Sequence, residues 1–441
     1  MLYRSTSVIT LLILCGLLLT GCADIVQALN STEVATVTPV AQKSEPADSV
    51  REDPSPVPTE MEPEPATDTP EPDDLAVTVP QTSVIPTFDP ADKPPRGAIQ
   101  EFKTDFSIHS VPYNEILSGG PPKDGIPPID DPKYVSISEA DEWLEPVDPV
   151  IHVQVGDVAR AYPLEILTWH EIVNDTLGEL PLVVTFCPLC NTGIAFLRTF
   201  DDRVLDFGTT GRLRFSNLVM YDRQTETWWQ QASGEAIAGE LTGSQLEFYP
   251  AATISWETFR SSFPDGDVLS RVTGHNRPYG QNPYAGYDDV SRSPFLYLGP
   301  ETPDKLPAMA RVLTVDLGQE AVAYHNNILA DLKVINDTVA GQEIVAFWIE
   351  GTASALDKST ISAGRDVGSG NTFLRLLGDQ LLTFRSEDDR IFDDQTDSEW
   401  NLLGRAIEGE LAGEQLEPIV SINHFWFSWA AFKPETRIYQ P

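Results

Sequence analysis

The sequence predicts a mainly β body of two tandem, pseudo-equivalent lobes with a few short helices, and three observations carry that prediction. Alternating apolar runs recur along the body, as in Ile151-His152-Val153-Gln154-Val155, Leu182-Val183-Val184-Thr185-Phe186 and Gly193-Ile194-Ala195-Phe196-Leu197. A period of two puts every second side chain on one face, which is the pattern of a half-buried strand. Turn signals such as Gly156-Asp157 and Asp201-Asp202 separate the runs, so the strands are short and antiparallel. Residues 150–264 and 312–434, finally, align as two copies of one unit. A repeat so long is a duplicated lobe, not a solenoid or propeller blade.

In chain order, Arg4 precedes an apolar run from Val8 to Leu19, too short to span a bilayer. Leu19-Thr20-Gly21-Cys22 follows and resembles a bacterial lipobox, whose cysteine becomes the acylated first residue of the mature protein. Residues 1–22 are thus expected to be a lipoprotein signal peptide, with Cys22 anchoring the chain to the lipid bilayer on the extracytoplasmic face of the cell membrane. Cys15 leaves with the signal, so Cys187 and Cys190 are the two free cysteines, in an oxidising compartment. Residues 23–95 are rich in Pro, Glu, Asp, Thr and Ser and nearly free of aromatics. Such a composition buries too little apolar surface to offset chain entropy and reads as a disordered, semi-extended tether.

The body from residue 96 is long enough for two cores. It is read as a lead-in segment (96–149), a first lobe (150–264), a connector (265–311) and a second lobe (312–441). Helices are expected from Ser255 to Phe263 and around Trp426 to Phe432, each ending near a proline. A Gly/Ser-rich stretch at about 357–378 reads as a loop of the second lobe, and Gly208 to Asn217 as an insertion of the first. Across the chain 67 acidic residues outnumber 29 basic ones, a net charge of −38. A surface so acidic repels phosphate backbones and argues against nucleic acid as a partner. A small molecule or another envelope protein remains.

The duplication supplies an internal control, because residues held by both copies are explained by folding. Ala161-Tyr162 matches Ala323-Tyr324, Val173-Asn174-Asp175-Thr176 matches Ile335-Asn336-Asp337-Thr338, and Trp229 falls on Trp400. Asn-Asp-Thr followed by Gly reads as turn chemistry. Phe186 with Phe347, and Trp256 with Trp426, read as core. The residues without a counterpart are the informative ones: His170 aligns with Leu332, Glu171 with Lys333, Cys187 with Trp348 and Cys190 with Gly351. The second lobe thus reads as scaffold, without the polar constellation of the first.

Cys187-Pro188-Leu189-Cys190 follows an apolar strand, with Pro188 at the second position of a turn. A turn brings its ends within about 7 Å, near enough for a disulfide, and the same spacing offers two thiolates to a soft metal. Three readings stay open: structural disulfide, redox or nucleophilic thiols, and metal ligation, with copper the most natural metal. A disulfide closing so short a loop restrains little chain entropy, roughly 2 kcal/mol or less, whereas a resolving thiol three residues away suits reversible redox. His170 is the expected third member, either lowering a thiol pKa or supplying a nitrogen ligand. Glu171, Arg212, Asn217 and Tyr284 are expected to border the site, and a satisfied core histidine and an ordinary hairpin are the plain structural alternatives.

With Trp169-His170-Glu171-Ile172-Val173-Asn174-Asp175, Thr185-Phe186-Cys187-Pro188-Leu189-Cys190, Leu218-Val219-Met220-Tyr221-Asp222 and Asn282-Pro283-Tyr284-Ala285-Gly286-Tyr287, the body resembles the domain of unknown function 3179 family over about residues 145–436. That resemblance implies a prokaryotic, often exported protein, and it implies no mechanism. The leading expectation is thiol redox work or a soft-metal site in the first lobe. The alternative is a binding or scaffolding module with an inert disulfide staple.

Overall fold

A computed structural model describes residues 92–441. The expected signal peptide, Cys22 and nearly all of the expected tether lie outside the described residues. No described helix is long and apolar enough to cross a membrane.

The described body is mainly β, with short helices. In the first half, Pro149–Val155 and Val158–Pro163 form a hairpin, flanked by antiparallel Ala251–Ser255 and parallel Asp267–Leu269. The helix Leu164–His170 leads into a second sheet of Ile172–Leu177, Leu180–Cys187, Thr192–Leu197 and Phe248–Tyr249. A third sheet runs through Phe207–Arg214, Asn217–Asp222, Trp228–Gln230 and Glu235–Ala238. The lead-in adds an edge strand to two of these sheets, Tyr134–Val135 to the first and Ile116–Ser118 to the third.

The second half repeats this order. Its first sheet is Ser421–Phe425, Arg311–Asp316, Ala321–His325 and parallel Arg437–Ile438; its second is Val334–Val339, Gln342–Ile349, Ser369–Leu374 and Pro418–Ile419. The helix Asn326–Leu332 stands where Leu164–His170 stands in the first half, and the third sheet is Phe384–Glu387, Arg390–Asp393, Glu399–Trp400 and Ala406–Glu408.

Matched residues do matched work. Buried Asp222 accepts from Thr225 N at 2.6 Å and from the Trp229 indole at 2.9 Å; buried Asp393 accepts from Thr396 N at 2.6 Å and from the Trp400 indole at 3.0 Å. Removing either carboxylate leaves buried donors unpaired, and each unpaired donor costs about 1–3 kcal/mol. Asp222→Ala and Asp393→Ala should therefore each lower unfolding free energy by at least 2 kcal/mol in denaturant titrations. Two unchanged midpoints would refute the shared structural role.

The Asn-Asp-Thr motif is not a turn, contrary to the sequence expectation. It lies inside the strands Ile172–Leu177 and Val334–Val339. Asn174 clamps the backbone of Phe207 with two 2.8 Å bonds, and Asn336 clamps Phe384 at 2.7 and 2.9 Å. The adjacent aspartates accept from Tyr162 at 2.6 Å and from Tyr324 at 2.8 Å. Short polar side chains served a long-range purpose here, which local turn statistics do not register.

Ladder register also moves the alignment by one residue. Val173 pairs with Val184 and Ile335 with Ala346, so Phe186 corresponds to Trp348 and Cys187 to Ile349. The loop expected at about 357–378 instead ends before Ser369, where a strand begins. The halves pack reciprocally: Ala251–Ser255 lies on Ser369–Leu374, and Ser421–Phe425 lies on Thr192–Leu197. The first seam is apolar, joining Ile254 to Val345, Phe347 and Phe373 in one core cluster. The second seam runs beside the cysteines.

Candidate functional site

Cys187 ends the strand Leu180–Cys187, and Pro188–Cys190 form one turn of 3-10 helix. Asn191 then reverses the chain with φ of 54°, delivering Thr192 opposite Cys187. Proline at the first position of that turn costs no backbone hydrogen bond. Both cysteines are free thiols, 2% and 0% exposed.

A hairpin turn closes over them. Its two central residues, Phe215 and Ser216, have φ of 54° and 65°, a conformation that two-residue hairpins usually give to Gly, Asn or Asp. Neither side chain suits it, and such strain persists where the surroundings hold it in place. The turn directs the Ser216 carbonyl at both sulfurs, 3.4 Å from Cys190 and 3.9 Å from Cys187. Asn217 donates to the Cys190 sulfur at 3.4 Å and to Gln231 at 2.8 Å, while its own oxygen accepts from Gln230 and from Ala232 N. Gln231 in turn donates to Thr185 at 3.0 Å and to the Thr192 carbonyl at 3.2 Å.

The two thiols are unequal. Burial pushes the Cys187 thiol well above the usual value, and the hydrogen bond to Cys190 and the negative charges of Cys190 and Glu171 push it the same way. Burial also pushes Cys190 up, but hydrogen bonds from Cys187, Ser428 and Asn217 outweigh it and hold that thiol low. Cys190 is therefore the more acidic of the two thiols.

Glu171 caps the helix Leu164–His170 in the left-handed region, φ 60°, which turns its side chain inward. Burial alone raises its carboxyl to about 8, and its charge acts on both thiols and on Tyr284. Its counterpart Lys333 shares the backbone angle but lies over the Trp348 ring at 4.3 Å. The connector covers the thiols: Tyr287 donates to Leu189 O at 3.0 Å and accepts from Phe295 N, and Ser216 donates to Phe295 O.

Cys187, Cys190, Glu171, Asn217 and Tyr284 thus come together as the sequence suggested. His170 and Arg212 do not join them. His170 has both nitrogens engaged elsewhere, with Pro127 O and with the Tyr279 hydroxyl, each at 2.7 Å. Burial lowers its pKa to about 4, so it stays neutral. Arg212 reaches the lead-in instead, bonding Glu101 at 2.9 Å and Arg96 O at 3.2 Å. Among the described residues no group of three His, Cys, Asp or Glu side chains is placed to hold a metal ion. Of the set Cys187, Cys190 and His170, the two sulfurs stand together and the imidazole is engaged elsewhere.

The second half is not mere scaffold around this site. His424 accepts or donates at Thr192 Oγ1 across 3.0 Å, Ser428 serves Cys190, and Ile422 shares the apolar cluster of both cysteines. Sequence reasoning missed Ser216, Tyr287, Gln231, Thr192, His424 and Ser428. One signal was present: with Trp256 set against Trp426, His424 falls on Ile254.

Fold and site together define a two-part, mainly β protein with a buried, unequal dithiol at the seam of its halves. The chain belongs to the family described as Protein of unknown function (DUF3179), whose profile matches residues 123–436 and so reaches back into the lead-in. No curated protein and no solved structure matches it.

Proposed function

We propose that this chain is a dithiol–disulfide exchange protein, held by lipidated Cys22 at the outer face of the cell membrane and built by duplication of one lobe. The observation that carries the reading is the inequality of two buried thiols beside a buried carboxyl. Cys190 as thiolate attacks a disulfide of a protein or small-molecule partner, forming a mixed disulfide and releasing one partner thiolate. Cys187 then gives its proton to the Glu171 carboxylate and attacks the Cys190 sulfur, releasing the second partner thiolate. Glu171 next returns that proton to a released thiolate. Two electrons have passed from the dithiol to the partner, and one disulfide has been traded for another. A carboxyl poised at about 8 is suited to taking and returning a proton near neutral pH. Because the connector covers both sulfurs, exchange requires Tyr287 and Phe295 to lift from Leu189 and Ser216. The repeated sheet order and the matched Asp, Asn and Trp contacts support the duplication.

The test is equilibration of the full chain in graded glutathione buffers, acid quenching, and mass analysis after alkylation. A single two-electron transition between dithiol and disulfide is expected. Thiols that stay reduced at every poise, or a disulfide that no poise reduces, would refute exchange and favour an inert pair.

A further inference from the structure

The halves share a cavity of about 20 Å³ that neither cysteine lines, with room for one small group. Its walls come from matched positions of the two halves, and the matched residues are chemically unequal. Pro149 and Arg311 hold one ladder position, opposite Ser255 and Phe425; Thr253 and Asn423 hold another, opposite Ile151 and Leu313. Leu164 and Asn326 each open the helix that follows the hairpin. All six line the cavity, the first half presenting Pro, Leu and Thr where the second presents Arg, Asn and Asn. Folding does not require the polar set, since one half does without it.

The lining holds Arg311 and no carboxylate, in a chain whose 67 acidic residues outnumber 29 basic ones. A guanidinium carries N–H donors on all three of its nitrogens. Here only Nη2 is engaged, with Asp288 and with Ser354, each at 2.7 Å. Nε is buried without a partner, and Nη1 makes no hydrogen bond with any described residue. Burial outweighs the Asp288 carboxylate and draws this guanidinium below its ordinary pKa, so the buried cation is short of negative charge. Two carboxamides of the same lining are idle as well: Asn423 and Asn191, the latter 8% exposed, make no side-chain hydrogen bond with any described residue. Asn326, by contrast, is engaged with Val367 O at 3.3 Å.

A buried cation, unpaired amide donors and the absence of a competing carboxylate from the lining describe a site for an anion. One guanidinium balances one negative charge, which favours a monoanion over sulfate or phosphate. Two acceptor oxygens suit donors that come from three side chains, and Leu164 and Phe186 give the rest of the ligand an apolar wall. We infer that the cavity binds a small monocarboxylate, formate or acetate in size, with Arg311, Asn191 and Asn423 donating to its oxygens. This site is independent of the exchange reading.

The test is calorimetric titration of the full chain with sodium formate and sodium acetate in a chloride buffer, with sodium sulfate titrated alongside. Saturating heats are expected from the two carboxylates and none from sulfate. Asn423→Thr and Asn191→Gly each copy the matched position of the other half, Thr253 and Gly368, and Gly368 shares the positive φ of Asn191, so both variants should fold. Each is expected to weaken formate binding about tenfold, the effect of losing one hydrogen bond to a charged group. Arg311→Gln is expected to abolish binding; should it fail to fold, the two asparagine variants decide. No saturating heat with either carboxylate, sulfate binding as well as formate, or wild-type affinity in both folded asparagine variants overturns the inference.

Discussion

Cys190→Ser silences the remaining thiol, whereas Cys187→Ser leaves a reactive one: that is the expected outcome of native-state alkylation at neutral pH. In Cys190→Ser the surviving Cys187 loses the lesser upward push of Cys190 but keeps the burial that chiefly raises it, against which the Leu218 backbone bond weighs least. In Cys187→Ser the surviving Cys190 keeps Asn217 and Ser428, and the new serine hydroxyl still offers a donor in place of the lost thiol. The nucleophile is the thiolate, so the rate follows the fraction ionised, which changes tenfold per pH unit of pKa. The two single variants should differ by at least about tenfold. Since the same connector covers both sulfurs, opening affects both rates alike and leaves their ratio intact. Equal rates, or a faster Cys187, would show that the charge assignment is reversed. Both variants also lose the two-electron transition, so the inert-staple reading predicts a different pattern: altered stability with no difference in reactivity.

The sequence showed this site in outline because chemistry and folding could be separated by comparing the halves. Cys187, Cys190, Glu171 and Asn217 were legible as residues that one copy has and the other lacks, and Tyr284 as a residue of the connector. His170 met the same criterion and is nonetheless engaged elsewhere, by Pro127 and Tyr279. Residues adjacent in sequence at a helix end point in different directions, and Glu171 sits there at positive φ. Linear alignment has no access to that angle. Strands were legible from alternation, yet the one-residue register error arose because Phe186 and Phe347 look like a natural pair. Ladder pairing, which alignment does not see, makes Thr185 the counterpart of Phe347 instead. The hydroxyl at that position is what Gln231 uses to tie the network below the thiols. The contribution of the second half was hidden for a different reason: it depends on the reciprocal packing of two strands far apart in sequence.

Glu171→Gln provides the largest pH-dependent effect. The carboxyl ordinarily ionises at 4.5 and is raised to about 8 by burial. The folded chain therefore binds a proton that the unfolded chain has released, and folding stability falls as pH rises from about 4.5, levelling off above about 8. At pH 7 the penalty is roughly 3 kcal/mol. Glutamine cannot ionise, so the variant should be more stable than wild type at pH 7 by an amount of that order. The gain shrinks toward zero near pH 4 and is complete above pH 8, as thermal unfolding across that range would show. The gain in stability should be matched by a loss in chemistry. Without a carboxylate to take the Cys187 proton, resolution of the mixed disulfide should slow on the order of a hundredfold, the size of a general base. Stopped exchange with a small disulfide, read as accumulation of the Cys190 mixed disulfide, measures this directly. A variant that is no more stable at pH 7 contradicts the buried carboxyl, and one that resolves at the wild-type rate contradicts its role as proton acceptor. A residue whose removal stabilises the fold while slowing the reaction is held there by function, because folding alone would favour the amide.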